Sequence, residues 1–228
     1  HTRSGRVTGV QTCALPICLF IATQTDGQWN VVEHTLKDHS LTSIAVTGGV
    51  VLAGTRDGIW RSADNGRTWT ESNLNHAIRY VRWMASSATP SAAILVGTEP
   101  AGIFISRDGG VTWNPNPEVS VLRDRHSWFL PYSPNAGCVR GFAIAESGPK
   151  RDRVYAAVEV GGVLVSDDSG DTWKLVEGSD GKPDLNRDLG TMIHPDVHSI
   201  SVHPTSSDIV TAATGGGLYR SIDGGRTW

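Results

Sequence analysis

The sequence predicts an all-β fold built from repeated four-stranded antiparallel units, and three observations carry that expectation. An eight-residue pattern, Ser-x-Asp-x-Gly-x-Thr-Trp, recurs four times. Ahead of each copy stands the same succession of three short β-rich runs. Glycine (26) and tryptophan (8) are prominent, whereas long runs with helical periodicity are missing. Short β-branched and aromatic runs closed by turn residues at a fixed repeat are the mark of an antiparallel β architecture.

Taken in order, the first segment is not read as part of the fold. "VTGVQTCALPI" at 7–17 corresponds to a codon string that reads as a widely used sequencing-library adapter, whose next base begins the codon of Cys18. Residues 1–18 are therefore set apart as a non-native, adapter-derived segment, and 19–228 as the folded part. Cys13 and Cys18 leave with it, so Cys138 stands alone and no intrachain disulfide is expected. A signal peptide can be neither seen nor excluded, and the compartment stays open.

"LFIAT" and "TDGQWNVV" read as the third and fourth strands of a partial first unit, with "TDGQW" a degenerate copy of the pattern. The second unit runs "LTSIAV", "VVLAGT", "GIW", the pattern at 62–69, then "TWTES". The third runs "VRWMA", "AILVGT", "GIF" and the pattern at 106–113. The fourth runs "VRGFAIA", "RVYAAVE", "GVL", the pattern at 166–173 and "TWKLV". The fifth runs "VHSISVH", "IVTAAT", "GLY" and the pattern at 221–228. Four strands every 40 to 60 residues match the blade of a β-propeller. The chain is expected to hold three complete blades and two partial ones, a fragment of a propeller of about six or seven.

Within each pattern the residues have mechanical roles. Asp64, Asp108, Asp168 and Asp223 accept hydrogen bonds from backbone amides and fold the turn between strands three and four. Gly66, Gly110, Gly170 and Gly225 supply a conformation that a Cβ penalises. Ser62, Ser106, Ser166 and Ser221 open the turn, and Thr68, Thr112, Thr172 and Thr227 lead into the last strand. Trp69, Trp113, Trp173 and Trp228 are expected to bury their rings where one blade meets the next.

These four segments resemble the Asp-box, or bacterial neuraminidase repeat. It is found in sialidases, some xyloglucan-cleaving glycosidases, sortilin-type receptors and a photosystem II assembly factor. "LVGTEPAGIFISRDGGVTW" and "YAAVEVGGVLVSDDSGDTW" are also similar to a group of bacterial propellers labelled glycosyl hydrolase or exo-α-sialidase. The resemblance implies the propeller fold and does not name a reaction. An Arg-Ile-Pro motif, the sialidase hallmark, is missing from the sequence. Tyr80, Tyr155 and Tyr219 fall in or beside β-rich runs and read as packing residues rather than a nucleophile.

In a propeller, ligands bind near the axis, on the face opposite the strand three-to-four turns. Aligning the repeats puts two rows of residues there. Arg56, Glu99, Glu159 and Gly215 follow strand two, and Thr42, Arg82, Arg140 and His198 hold the second position of each innermost strand. Glu99 and Glu159, on neighbouring blades, are the candidate catalytic pair for glycoside chemistry. Arg56, Arg82, Arg140 and His198 are candidate ligand-binding residues, since guanidinium groups clamp carboxylates or sulfates through parallel hydrogen bonds. The long insertion at 114–137 adds His126, Trp128 and Tyr132, whose aromatic rings suit stacking on a sugar. The insertion at 177–196 takes the same place one blade later.

The partners implied are a carbohydrate or a polypeptide. Function therefore has two forms: a glycoside-hydrolase-like or carbohydrate-binding propeller, or a non-catalytic scaffold of the photosystem II assembly-factor or sortilin type. A net charge of -3 gives no electrostatic reason to expect nucleic acid, and no apolar run reaches membrane-spanning length. No cofactor is implied. No metal is expected either, because His198 and His203, an odd number of residues apart on one strand, point to opposite faces.

Overall fold

A computed structural model describes residues 18–72, 78–87, 93–130, 137–145 and 152–228. The adapter-like stretch, apart from Cys18, and Tyr132 lie outside these residues. Five antiparallel sheets follow one another along the chain, each made of consecutive strands.

The first sheet pairs β1 (Leu19–Thr25) with β2 (Gln28–Thr35) through a turn at Asp26 and Gly27. The second orders β3 (Leu41–Thr47), β4 (Val50–Thr55), β5 (Ile59–Ser62) and β6 (Thr70–Glu71). The third is β7 (Val81–Ser86), β8 (Ile94–Thr98), β9 (Ile103–Ser106) and β10 (Asn114–Pro115), followed by the helix α1 (Pro117–His126). The fourth is β11 (Cys138–Ala145), β12 (Arg153–Glu159), β13 (Gly162–Ser166) and β14 (Lys174–Leu175). The fifth holds β15 (Val197–His203), β16 (Ser206–Thr214) and β17 (Gly217–Ser221). Three four-stranded blades and two with fewer strands agree with the repeat reading of the sequence.

Blades touch through their first strands: β3 packs on β7, β7 on β11, and β11 on β15. The middle strands are buried on both faces, as in the fully buried runs of β8 and β12–β13. Removing such Val, Leu and Ile side chains from water contributes about 1.5–3 kcal/mol each before entropy is counted.

The pattern tryptophans sit between blades. Trp69 packs with Leu19, Leu41 and Ala53, Trp113 with Leu52 and Met84, and Trp228 with Val176 and Val197. Trp173 is almost fully buried against Phe142, their ring centroids 6.1 Å apart. Trp29 of the degenerate copy is about half exposed and takes no such place.

Each pattern folds the same way. The aspartate accepts the threonine hydroxyl at 2.6 Å in all four copies. The serine hydroxyl donates to that aspartate and accepts the glycine amide, at 2.7 and 2.7 Å for Ser62. This double role of serine was not legible in the sequence. The glycines do more than permit a positive φ. A Cβ on Gly110 or Gly170 would lie 2.7 Å from Leu52 or Leu95 of the preceding blade. Close approach and backbone conformation therefore demand glycine together.

The insertion at 114–137, expected as a loop, carries α1. Pro117 begins it, Glu118 lies in its first turn, and Arg123, Arg125 and His126 lie in its last, all complementing the helix dipole. Ser127 ends it in the left-handed conformation. Only Val119 of the helix is buried, so no apolar stripe marked it in the sequence.

Candidate functional site

The four innermost strands share a distortion at the same position. Register in the pairing shifts between Leu41 and Ser43, Val81 and Trp83, Val139 and Gly141, and Val197 and Ser199. The residue that the register skips in each case is Thr42, Arg82, Arg140 or His198, one of the rows picked from the repeat alignment. A β-bulge bends its strand and re-aims a side chain, which is how pairing strands can present polar groups at one end. All four bulge residues, with Trp83, line a single cavity of about 270 Å³.

Around that cavity, three blades repeat a base in front of an acid. Arg82 Nη1 lies 3.3 Å from Glu99 Oε2, and Arg140 Nη1 lies 2.9 Å from Glu159 Oε2. In the fifth sheet the pair is His198 Nε2 and Asp196 Oδ1, 3.0 Å apart. The carboxylates lie deeper than their partners. The Glu99 and Glu159 side chains are 2% and 6% exposed, against 19% and 34% for Arg82 and Arg140. The basic heads therefore face the cavity, and the acids behind them fix their positions.

Asp196 was not singled out from the sequence. It does what Glu99 and Glu159 do in the previous blades, because the aligned residue there is Gly215. A Cβ on Gly215 would lie 2.4 Å from Asp196 Oδ2, so the carboxylate occupies the space a side chain would enter. A legible signal existed: Asp196 stands two residues before the bulge, as do Tyr80 and Cys138.

Those two residues also belong to the site. Tyr80, read from the sequence as packing, has its hydroxyl 2.7 Å from Arg82 Nη1, which donates to it. The guanidinium carbons of Arg56 and Arg82 lie 5.2 and 4.9 Å from the centre of its ring. A phenol face next to two cations is a cation–π arrangement, which holds both heads close despite their charge. Tyr80 thus links Arg56, one blade away, to the ring. The Cys138 thiol donates to Glu159 Oε2 at 3.0 Å. Burial, and after it Glu159 as acceptor and negative charge, push that thiol well above its ordinary range, so it stays a neutral donor. Burial works against the charge of Arg140, but Glu159 outweighs it and the pKa is raised.

The remaining candidates sit elsewhere. Trp128 is 2% exposed, and its indole N–H donates to Gly181 O at 2.8 Å. Its ring fills the core between the two long insertions and offers no face for stacking, which corrects its assignment as a ligand residue. The reason is chemical: an aromatic body with one satisfied N–H is well suited to the core. His126, half-buried at the end of α1, packs near Gly181, and neither residue borders the axial cavity. Glu99 also borders a second cavity of about 300 Å³, with Arg79, Phe104, Asn116 and Arg123. Tyr155 is buried, its hydroxyl donating to Ser207 O at 2.8 Å, in keeping with a packing role.

The BNR/Asp-box repeat family matches residues 104–115, the β9 turn and its pattern. Solved structures of similar shape include YCF48 bound to a D1 peptide, with a TM-score of 0.58 and 15% identity over 98% of this chain and 64% of that one. They also include an ancestral GH74 enzyme, with a TM-score of 0.56 and 19% identity over 82% of this chain and 23% of that one. The chain has the β-propeller fold, with a BNR/Asp-box repeat at 104–115. The GH74 xyloglucanase from Xanthomonas campestris is a further propeller of this kind, with a TM-score of 0.53 and 19% identity over 96% of this chain and 37% of that one. The chain thus spans less than two thirds of each of these structures. A search of curated proteins finds no match to it. Among the described residues, no helix is long and apolar enough to cross a membrane.

Proposed function

We infer that this Asp-box propeller is a non-catalytic binding scaffold that takes an anionic polypeptide segment on its axial face. The observation that carries the reading is the set of four bulge residues on one cavity, with Arg82, Arg140 and His198 each held forward by an acid that lies deeper. Fixed guanidinium groups recognise carboxylates in a geometry that needs little reorganisation on binding. Arg56, stacked over Tyr80, extends the basic surface across a neighbouring blade. Binding of a D1 peptide by YCF48, a propeller of the same shape, supports this choice of ligand class.

A second reading keeps Glu99 and Glu159 as an acid–base pair on neighbouring blades, as in a glycoside hydrolase. Its support is the GH74 likeness and the presence of two carboxylates beside the cavity. Their burial and their engagement with arginines weigh toward a positioning role, since a general acid must reach the leaving oxygen.

One experiment separates the two. The chain is screened against an array of peptides with acidic or free C-terminal carboxylate ends and, in parallel, against neutral and acidic oligosaccharides for binding and hydrolysis. Saturable peptide binding that is lost in Arg82→Ala and Arg140→Ala, with no sugar cleaved, is expected. Hydrolysis of an oligosaccharide that disappears in Glu99→Gln or Glu159→Gln would replace the scaffold reading by the enzymatic one.

A further inference from the structure

We propose that Glu159, Asp196 and His198 form a binding site for a divalent transition-metal ion such as Zn²⁺ at the rim of the axial cavity. One potential ligand atom of each residue lies within 4.8 Å of the others. His198 Nε2 and Asp196 Oδ1 are 3.0 Å apart. Atoms bound to a single zinc ion lie about 3 to 4 Å apart, so closure around an ion needs side-chain shifts of about an ångström, the exposed His198 having the most freedom to move. The site shares His198 with the histidine pair set aside in the sequence but does not use His203. His203 lies at the far end of β15, where its ring takes part in hydrogen bonds with Thr205.

Three features show that the arrangement is built rather than incidental. The backbone around Asp196 is pinned: the amides of Gly161 and Gly162 donate to Pro195 O at 3.1 and 2.9 Å, and that of Gly215 donates to Asp196 O at 2.9 Å. The end of β12 and the entry to β15, which carry the ligands, are therefore fixed to one another across the blade boundary. Gly215 leaves room for the Asp196 carboxylate, where the equivalent positions of the other blades hold Arg56, Glu99 and Glu159. Glu159 is oriented by the Cys138 thiol and by Arg140, both on Oε2. Outer groups that fix a ligating carboxylate in this way are typical of metal centres.

The donor set selects the kind of ion. One imidazole nitrogen with two carboxylates suits Zn²⁺, Co²⁺ or Mn²⁺ better than Ca²⁺ or Mg²⁺, which favour all-oxygen cages. The Arg140 charge beside Glu159 works against a cation, so binding is expected to be readily reversible rather than structural. Three protein ligands leave further coordination positions toward the cavity that His198 lines. A metal ion there would add a Lewis-acidic centre to the basic ring. The proposal stands without the peptide reading, because it concerns the ion alone.

The test is a titration of the 228-residue chain with Zn²⁺ by calorimetry and with Co²⁺ by visible absorption, with no peptide added. Saturation near one equivalent is expected, weakened by at least about tenfold in Asp196→Asn and in His198→Ala. His203→Ala, which removes an imidazole at the far end of β15, away from the three ligands, should bind metal as the parent does. Thermal melts without metal establish that each variant is folded. Failure of the parent chain to bind either ion, or equal binding by both ligand variants, overturns the site. Neither result touches peptide capture by Arg82 and Arg140, which is measured separately.

Discussion

On the face that carries the Asp-boxes, the same five residue types recur in four blades, and in each the serine, aspartate, glycine and threonine make the same hydrogen bonds to one another. At the equivalent positions of the axial face stand Thr42, Arg82, Arg140 and His198, backed by Glu99, Glu159 and Asp196 in the last three. The box aspartates accept threonine hydroxyls at 2.6 Å in every copy, whereas the axial pairs differ in chemistry and spacing from blade to blade. Repetition marks the task that every blade must perform, which is to close a turn and meet its neighbour. Divergence at aligned positions marks what the molecule does only once, around its axis. In a repeat protein, invariance therefore points to the fold and variation to the site.

The sharpest way to break that comparison is to truncate a box residue and a ring residue and compare their effects. Trp173→Ala is expected to destabilise the chain by about 3–5 kcal/mol, since it empties a core position against Phe142 and removes the bond to Gly170 O. Urea denaturation gives the value, and a loss below about 1 kcal/mol would show that the box tryptophan does not join the blades. Gly170→Ala comes next, at about 1–3 kcal/mol. The added methyl would sit 2.7 Å from Leu95 at a φ of 93°. The same measurement applies, and a neutral result would mean that the turn relaxes without disturbing the preceding blade.

The contrast also explains what the sequence made legible. The boxes and the strand order were readable because identical residues at four places leave no doubt about alignment, and alignment then located the two axial rows. What alignment could not supply was the bulge. It takes Thr42, Arg82, Arg140 and His198 out of the strand register, and it depends on the ladder rather than on residue type. Tyr80, Cys138 and Asp196 were not joined to the site because they differ in kind, although each stands two residues before its bulge residue. Trp128 misled for the opposite reason. An aromatic in a long insertion suits ligand stacking by composition, and only the packing of the two insertions on each other shows its ring to be core. The helix α1 was hidden by its single buried residue.

Arg56→Ala should separate function from stability. The side chain is exposed and stacks on Tyr80, so stability should change by no more than about 0.5 kcal/mol. Affinity for an acidic peptide should fall about tenfold, the equivalent of one charge-assisted hydrogen bond. Fluorescence anisotropy with a labelled peptide reads the affinity. Unchanged affinity would confine the binding surface to the cavity itself and remove Arg56 from it.

The smallest effect is expected in the acid response, and it belongs to the box face. Burial works against ionised Asp108, but the Thr112 hydroxyl and amide, Ser106 and the Val111 amide outweigh it and pull its pKa from 3.8 down to about 2. Asp64 and Asp223 are held lower still, first by their threonine hydroxyls. A carboxylate depressed on folding contributes stability that is fully present above its unfolded value and is lost as pH falls through the folded one. The contribution of Asp108 should therefore be complete above about pH 4 and fade toward pH 2. Because these groups lie near the surface, solvent weakens each contribution, and the change in Tm from one box will be slight. Melting curves of the parent and Asp108→Asn between pH 6 and 2 should differ most at the upper end and converge as the acid group is protonated. Arg56→Ala should track the parent throughout. Curves for Asp108→Asn that stay parallel to the parent down to pH 2 would mean that the box aspartate acts through the shape of its turn and not through its charge.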